Sequence, residues 1–342
     1  MKKTFTTSIL MAVLGFTAIT ANAKSWRINS DATKKADFVD INAAMSSDEV
    51  AAGDTLYLDP GCLLTESQTV SKQVTIVGPG YLRSSAPHQG ATISGVLYLS
   101  AANAKIEGVT MTGEVHIRAQ YVTIERCRAT SAIQLNTNVS AQYATIRQCY
   151  LNHISGRGYS STYSAYWTIE NNIILQTTST YHVIESLNNP TIRNNYILYN
   201  ASSSSYYSIA GIQGGIITNN IIFNKKTNNN VWSNVTDAVI TRNVTSSAEK
   251  TDYPDNIYLA HSDESLVFKM EGTYDQKYQL KDDSPAKGYA TDDGDCGHTG
   301  GTYPYVISGL PAGYPYYTKA IIDTRAKDGK INVSLNIKMQ NE

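Results

Sequence analysis

A short phrase occurs six times in the middle of the chain, and its spacing constrains the fold more than any other feature. The central isoleucines of the copies are Ile124, Ile146, Ile169, Ile192, Ile217 and Ile240. Consecutive copies are 22, 23, 23, 25 and 23 residues apart, and a period of roughly 20 to 50 residues is typical of repeat proteins. The copies are rich in Ile, Val, Thr and Asn, with apolar runs of strand length. This composition predicts one β-coil per repeat and excludes α-helical hairpins.

The predicted fold is therefore an all-β parallel β-helix solenoid, in which each strand pairs with the equivalent strand one period away. The solenoid domain is expected over residues 24–300, with regular coils over 74–244. An amphipathic helix near residues 37–52, with Asp37 as its N-cap and Gly53 after its end, would cover the N-terminal end of the stack.

The C-terminal residues 301–342 are expected to form a small β appendage. Residues 331–339 alternate between apolar and polar side chains, which is typical of a half-buried strand. This strand would pair with Lys319–Ile322 as a hairpin across Lys327–Gly329.

The residue after each central strand predicts a ladder of stacked side chains at a corner of the coil. The successive copies carry Cys127, Cys149, Asn172, Asn195, Asn220 and Asn243 at this position. Asparagine tolerates the left-handed backbone of a sharp corner, and stacked amides can satisfy buried backbone groups. A structural ladder is favoured, with an asparagine-lined binding site as the alternative. The two cysteines should point the same way, which favours free thiols over a disulfide. Cys62 and Cys296 could pair only if the C-terminal segment folded back.

The N-terminal segment has the three parts of a secretory signal peptide. Lys2 and Lys3 precede a mostly apolar run at 9–19, and 21–23 is a small-x-small cleavage site. Cleavage after Ala23 would place the mature protein outside the cytoplasm, in the periplasm or beyond. No later apolar run approaches the about 20 residues of a membrane span. The net charge of −1 gives no basic excess, so neither a membrane span nor a nucleic-acid partner is predicted.

Several phrases resemble those of right-handed parallel β-helix (pectin-lyase-like) proteins, especially secreted ones of Bacteroidetes-type bacteria. They are Gly53–Leu58, Thr75–Tyr81, Ser284–Gly288 and the repeated Thr-Ile-x-Asn-Asn coils. The resemblance covers roughly residues 26–300 and implies a right-handed solenoid. This superfamily includes polysaccharide lyases, glycosidases, esterases and adhesins, and fold alone does not choose among them.

The carboxylates of the coils do not match the catalytic sets that this resemblance implies. Polygalacturonase-like hydrolysis needs paired carboxylates, and pectate-lyase-like elimination uses acidic residues that hold Ca²⁺ together with a base. Between Asp59 and Asp237 the chain contains no aspartate. One outward column of stacked strands comprises Glu107, Glu125, Arg147, Glu170 and Arg193. This column predicts cross-strand ion pairs, with a substrate groove as the alternative.

Three residues are candidates for acid–base catalysis: His153, His182 and Glu185. His182 and Glu185 share the third strand of one coil, and His153 is expected one coil away. The simpler interpretation is that these are polar residues exposed beside loops.

A metal site has one candidate, the acidic run of Asp292, Asp293 and Asp295. Their carboxylates could bind Ca²⁺, but they lack an EF-hand pattern, so an ordinary acidic turn is favoured. No two histidines have metal-ligand spacing. The sequence therefore predicts no cofactor.

Tyrosine is the composition outlier, with 24 residues against 5 Phe and 3 Trp. The candidate substrate-binding residues lie in or beside loops of variable length: Tyr159, Tyr163, Tyr181, Tyr206 and Tyr207. A tyrosine ring offers an apolar face and a hydroxyl, which suits contact with sugars or with a protein. The alternative is that tyrosine fills strand positions because of its β-propensity.

The function predicted first is a secreted β-helix protein without catalysis that binds carbohydrate or a cell-surface partner through its tyrosine-bearing loops. The first alternative is a carbohydrate-active enzyme, a polysaccharide lyase more readily than a glycoside hydrolase. The second is a structural or adhesin-like stalk. The repeated residues serve the scaffold, so the function is expected in residues that depart from the repeat.

Overall fold

The strands stack into a solenoid built from one 10-stranded sheet and one 16-stranded sheet. The computed structural model describes residues 23–81, 90–135, 139–156, 161–178, 180–203, 205–225, 230–247, 253–260, 263–272, 274–310, 315–322, 329–331 and 333–339. The predicted signal peptide lies outside the described residues except for Ala23. The larger sheet contains two columns of strands, so a complete coil contributes to three columns in all. The chain is therefore a parallel β-helix, as the repeat predicts.

Column 1 is the 10-stranded sheet and contains the repeated phrase. Its strands are Ser25–Ile28, Thr55–Leu58, Thr75–Val77, Lys105–Glu107, Thr123–Glu125, Thr145–Arg147, Thr168–Glu170, Thr191–Arg193, Ile216–Thr218 and Val239–Thr241. Each central isoleucine pairs with its equivalent, as Ile124 does with Ile146. These isoleucines are at most 5% exposed, and their burial stabilises the stack by about 25 cal/mol per Å². The stack begins at Ser25, which lies within the predicted solenoid domain of 24–300 and before the regular coils predicted from 74.

Columns 2 and 3 share the larger sheet. Column 2 contains Leu63–Leu64, Thr92–Ile93, Thr110–Met111, Ile173–Gln176, Tyr196–Tyr199, Ile221–Asn224, Val244–Thr245 and Ile257–Tyr258. Column 3 contains Gln68–Val70, Leu97–Leu99, Val115–Ile117, Ile184–Asn188, Ile209–Gln213 and Trp232–Thr236. Two longer strands, Arg128–Gln134 and Tyr150–Ser155, run through both columns, and a register shift between Ala129 and Ala132 accommodates the bend.

The α-helix near the N-terminus is shorter than predicted and spans Ile41–Ser46. Its apolar side chains are buried in the core beside the first strand of column 3. The predicted N-cap is wrong, because Asp40 Oδ1 accepts the capping bond from Ala43 N at 2.7 Å, whereas Asp37 accepts from Arg27 N. The described 3₁₀ helices are Ala32–Lys34, Ser161–Ser164, Glu264–Leu266, Tyr274–Tyr278 and Ile307–Gly309. No helix in the described part of the chain has the length and apolar character to cross a bilayer.

The corner between columns 1 and 2, which we call the ladder corner, uses two successive residues in each coil. The first is left-handed, with φ between 50° and 58° at Arg126, Gln148, Asn171, Asn194, Asn219 and Arg242. The second stacks inward: Asn195 Oδ1 accepts from Asn172 N at 3.0 Å, and Asn195 Nδ2 donates to Asn220 Oδ1 at 3.0 Å. The structural ladder is therefore present, and its amides satisfy the buried corner backbone. The left-handed conformation belongs to the residue before each stacked asparagine, not to that asparagine as predicted.

All four cysteines are free and buried. Cys127 and Cys149 continue the ladder, with Cys127 N donating to Cys149 Sγ at 3.4 Å. Burial raises the pKa of Cys127 to about 12 and that of Cys149 well above its usual value. Both thiols therefore stay protonated and act as small core residues, as predicted.

The C-terminal residues 291–310, which we call the strap, fold back over the ladder corner. Side-chain amides of the left-handed residues hold the strap: Gln148 Nε2 donates to Pro304 O and Asn171 Nδ2 donates to Gly300 O, both at 2.6 Å. Later strap residues contact earlier coils, so the strap runs back along the solenoid. In the Asn-Asn coils, the first asparagine thus holds the strap and the second forms the ladder.

The chain that precedes the strap covers part of the outer face of column 2. The buried apolar cluster at this contact contains Ile173, Tyr196, Leu198, Ile221, Phe223, Val244, Val267, Phe268, Tyr278, Leu280, Ala286, Ala290 and Cys296. Because column 2 is covered on this side, its outer face there is not open to a ligand. Beyond the strap, Pro315–Ile322 pairs antiparallel with Val333–Met339. The predicted hairpin pairing is therefore confirmed, and its first strand begins at Pro315 rather than at Lys319.

The charged column on the outer face of column 1 forms ion pairs. Arg147 Nη2 lies 3.3 Å and Lys105 Nζ lies 2.9 Å from Glu125 Oε2, and Arg193 Nη2 lies 2.7 Å from Glu170 Oε2. Burial raises the pKa of Glu125, but hydrogen bonds and charges from Lys105 and Arg147 outweigh this effect and lower the pKa overall. These charges neutralise one another, which favours the structural interpretation of the column.

The corner between columns 3 and 1 carries an exposed stack of Tyr121, Tyr143 and Tyr166, which we call the tyrosine ridge. The ring centroids are 5.0 and 5.2 Å apart, with interplanar angles of 6° and 11°. All three residues are left-handed, with φ of 59°, 60° and 62°. This conformation costs such a residue about 1–2 kcal/mol, and a stacked pair contributes about 0.5–1.5 kcal/mol. The stacking therefore does no more than offset the strain.

Candidate functional site

A row of outward side chains follows column 3. The strand register places Tyr98, His116, Gln134, Ser155 and Glu185 at equivalent positions of successive coils. Adjacent strands lie about 4.8 Å apart, so neighbouring side chains in the row can interact directly. After Glu185 the row continues with the short side chains of Ala210 and Ser233.

Glu185 forms a buried cluster with His153 and Ser155 at the later end of this row. Ser155 Oγ donates to Glu185 Oε1 at 3.1 Å, and His153 Nε2 lies 3.3 Å from the same oxygen without hydrogen-bond geometry. The ring of Tyr181 stacks on His153 with centroids 4.9 Å apart and an interplanar angle of 15°. The three cluster residues are at most 4% exposed, whereas Tyr181 is 44% exposed. A ligand would therefore meet Tyr181 first.

Glu114 organises the earlier end of the row. Its Oε2 accepts a hydrogen bond from Gln134 Nε2 and lies within hydrogen-bond distance of His116 Nε2, both at 2.9 Å. The guanidinium of Arg118 lies 3.8 Å from the ring centroid of Tyr98. The Glu114 side chain is 48% exposed, so this carboxylate is open to solvent while Arg118 is engaged with an aromatic ring.

A cleft of about 260 Å³ lies between these two clusters. Its walls are mainly hydroxyl and amide side chains, among them Thr130, Gln134, Asn152, Gln176 and Thr178. Asn152 Nδ2 donates to Thr130 O at 3.2 Å, but Asn152 Oδ1 is buried with no protein partner. A buried acceptor without a donor costs about 1–3 kcal/mol, so this wall favours a ligand that brings hydroxyl donors.

The cleft carries little charge. Within the described part of the chain, Glu114 is the single carboxylate in its lining, and no lysine or arginine lines it. Among the described residues, no three His, Cys, Asp or Glu side chains gather as metal ligands. The cleft therefore does not fit the Ca²⁺ ion that a pectate-lyase-like elimination implies, since calcium takes six to eight oxygen ligands.

The tyrosines predicted to bind a ligand lie in different surroundings. Tyr181 belongs to the cleft. Tyr163 and Tyr206 are partly buried against the main core, Tyr207 is partly buried, and Tyr159 lies outside the described residues. Of the four that can be placed, Tyr181 is the one that lines the cleft.

Of the candidate acid–base residues, the structure brings His153 and Glu185 together. His182 lies beside the tyrosine-bearing loop: its Nδ1 accepts from Tyr207 N at 2.9 Å, and its ring centroid is 5.3 Å from that of Tyr206. The backbone bond orients the His182 ring toward this loop.

The acidic run near the C-terminus forms a turn. Asp292 Oδ1 accepts from Gly294 N at 3.2 Å, and Asp295 Oδ1 accepts from Gly288 N at 3.1 Å. Asp293 is left-handed, with φ of 59°. These backbone bonds match the acidic-turn interpretation.

Sequence reasoning did not find Glu114, Gln134, Asn152 and Ser155. The row positions at 116, 134, 155 and 185 are 18, 21 and 30 residues apart. Column 1 positions recur at a nearly fixed spacing in the sequence. Column 3 positions do not, because the loops between the strands differ in length. Only the strand pairing aligns these residues.

Several solved structures are similar to this chain. A pectate lyase from a Bacillus species, in complex with trigalacturonate, is 13% identical over 81% of this chain and 94% of its own, with a TM-score of 0.40. A PL6 family alginate lyase is 13% identical over 64% of this chain, with a TM-score of 0.38, and this chain spans 38% of its length. No protein-family profile and no curated protein sequence matches the chain. With scores this low, the strand pairing carries the fold assignment and these likenesses assign no activity.

Proposed function

We propose that this protein binds a short segment of an uncharged glycan in the column 3 cleft. The observation that carries the proposal is the wall around Asn152, where a buried amide oxygen lacks a donor beside hydroxyl and amide side chains. Sugar hydroxyls are donors of the required kind. The proposed signal peptide would deliver the protein to the extracytoplasmic space, where polysaccharides are found.

The aromatic side of the cleft supports the same ligand class. Tyr181 is half-exposed and is held flat against His153, so its ring is fixed before a ligand arrives. A fixed aromatic ring can pack on the apolar face of a sugar at small entropic cost. The amides of Gln134 and Asn152 would then orient the hydroxyls of that sugar.

The charge of the cleft selects among glycans. A polyuronate would bring carboxylates to a cleft in which the described lining residues include the carboxylate Glu114 and no lysine or arginine. Like charges disfavour each other, and the carboxylates would lose water without gaining a cation. A neutral chain meets neither penalty. The cleft volume of about 260 Å³ lies just below the roughly 300 Å³ at which small-molecule pockets begin, so it suits a short segment.

Titration with neutral and uronate oligosaccharides tests the proposal. The Tyr181→Ala variant should weaken neutral-glycan binding about tenfold, because a well-placed aromatic contact is worth about 1.4 kcal/mol. Tyr57→Ala removes an exposed tyrosine at the far N-terminal end of column 1 and serves as the control that keeps wild-type affinity. Preferential binding of uronate oligosaccharides would refute the proposal.

One observation favours glycoside hydrolysis as a second candidate. Glu114 bonds to Gln134, Glu185 accepts from Ser155, and these two partners lie on adjacent coils. Glu114 lines the cleft, and Glu185 is buried beside His153, which also lines it. Glycoside hydrolysis uses a pair of carboxylates. Release of reducing ends that Glu185→Gln abolishes, with binding retained, would establish catalysis. Binding without turnover would leave the cleft a binding site.

A further inference from the structure

The tyrosine ridge is exposed aromatic surface that the column 3 cleft does not use. Tyr121, Tyr143 and Tyr166 are 50, 42 and 48% exposed. The middle ring is the least exposed because it has a stacked neighbour on each side. The ridge thus presents three ring edges with hydroxyls, together with the outer faces of its two end rings.

The backbone does not explain why tyrosine stands at this corner. The equivalent corner positions of neighbouring coils are occupied by Asn103, Asn189 and Gly214, with φ of 60°, 47° and 68°. These residue types adopt the left-handed conformation with little strain, whereas tyrosine does not. Three successive tyrosines therefore add aromatic surface against the backbone preference, and strain of this kind clusters at functional sites.

Among the described residues, the column 1 surface beside the ridge bears hydroxyls, and its charged side chains are paired. Two residues after each ridge tyrosine, Thr123, Thr145 and Thr168 stand in register on the outer face of column 1 and are partly exposed. The charged residues next along these strands are already paired, as Arg147 is with Glu125. The outer faces of the two end rings match the apolar faces of neutral sugars, and the ring-edge and threonine hydroxyls match the hydroxyl groups of those sugars.

We propose that the tyrosine ridge is a second binding site, which lies against the surface of an insoluble, uncharged polysaccharide. The ridge stands on a convex corner, so it cannot enclose a single sugar but can contact packed chains. Its rings repeat at 5.0 and 5.2 Å along the solenoid, so several weak contacts act together on a repetitive surface. The ridge and the cleft share no residue, so this site does not depend on the cleft.

Sedimentation with insoluble polysaccharides tests the ridge on the full chain. The probes are microcrystalline cellulose and chitin as neutral surfaces, and calcium-alginate beads as an anionic surface. Wild type should be retained on a neutral surface and not on alginate. Tyr121→Asn/Tyr143→Asn/Tyr166→Asn should lose about tenfold or more in retention. Asparagine is the chosen replacement because Asn103 and Asn189 already occupy this corner, so the unfolding midpoint should stay unchanged.

Two further variants distinguish binding by the ridge from misfolding of the triple variant and from effects outside the ridge. Tyr143→Asn alone should show intermediate retention, and it covers the case in which the triple variant does not fold. Tyr57→Ala should keep wild-type retention, because that exposed tyrosine lies outside both the ridge and the cleft. No retention of wild type on either neutral surface, equal retention of wild type and ridge variants, or loss of retention in Tyr57→Ala would each overturn the ridge proposal. An analytical centrifugation result in which the ridge variants alone turn a dimer into a monomer would instead make the ridge an interface between copies.

Discussion

The ladder corner and the tyrosine ridge use the same left-handed backbone in opposite surroundings. At the ladder corner the left-handed residues are covered by the strap, and the residues after them are buried cysteines and asparagines, whose amides bond to one another. At the ridge the left-handed residues are tyrosines that face solvent. The comparison shows that burial, not backbone conformation, decides which side chains a corner requires, because buried polar groups need partners and exposed ones have water.

The ladder corner should respond strongly to the loss of one amide. Asn195→Ala leaves Asn172 N and Nδ2 without the acceptor Asn195 Oδ1, and leaves Asn220 Oδ1 short of donors. Each buried group without a partner costs about 1–3 kcal/mol. We expect the free energy of unfolding to fall by about 3 kcal/mol in denaturant titration.

The matched control lies at the exposed corner. Tyr143→Asn replaces a strained residue by one that accepts φ of 60°, and should change the free energy of unfolding by less than about 0.5 kcal/mol. Equal losses at the two corners would break the comparison.

The free energy of unfolding should fall in acid because of His298, which lies in the strap. Burial lowers the pKa of His298 from 6.5 to about 3. Below pH 6.5 the unfolded chain gains a proton that the folded chain excludes, so stability is lost as pH falls from 6.5 toward 3, by about 1.4 kcal/mol per pH unit. At pH 4.5 the loss should reach about 2–3 kcal/mol in wild type.

His298→Phe isolates this effect. The substituted ring keeps its place beside Tyr196, Phe268 and Tyr305 but does not titrate. Burial raises the pKa of Asp275. This carboxyl is present in both proteins, so its contribution to the pH dependence cancels when wild type and His298→Phe are compared. Identical pH profiles for wild type and His298→Phe would show that the strap does not exclude the proton.

The close approach of the strap to the coils should be tested at Gly309. A Cβ at this position would overlap the Tyr81 ring and the Arg126 carbonyl, and φ is +58°. Gly309→Ala should lower the free energy of unfolding by about 2 kcal/mol and speed proteolysis of the strap. Gly53→Ala, with φ of +95° and nothing within 4 Å, should cost about 1 kcal/mol or less. A similar loss in both variants would assign the effect to the backbone alone.

Some structural elements were predicted correctly from the sequence and others were not. The isoleucine core, the free Cys127 and Cys149 and the ladder were predicted correctly, because each follows from a fixed period. The helix cap was wrong by three residues, since Asp37 and Asp40 offer the same capping chemistry and only the path of the chain chooses between them. The candidate site was predicted in fragments: Tyr181, His153 and Glu185 were named, but not Glu114, Gln134 or Asn152.

The scaffold of this protein follows from its amino acids alone, because strand type, period and stacking residues are encoded within each repeat. The tertiary structure alone decided what that scaffold presents. It brought Glu185 to His153 and Glu114 to Gln134 across loops of unequal length. It also folded the strap over the ladder corner and left the tyrosine ridge uncovered. These arrangements depend on contacts between residues far apart in the chain, and no local pattern encodes such contacts.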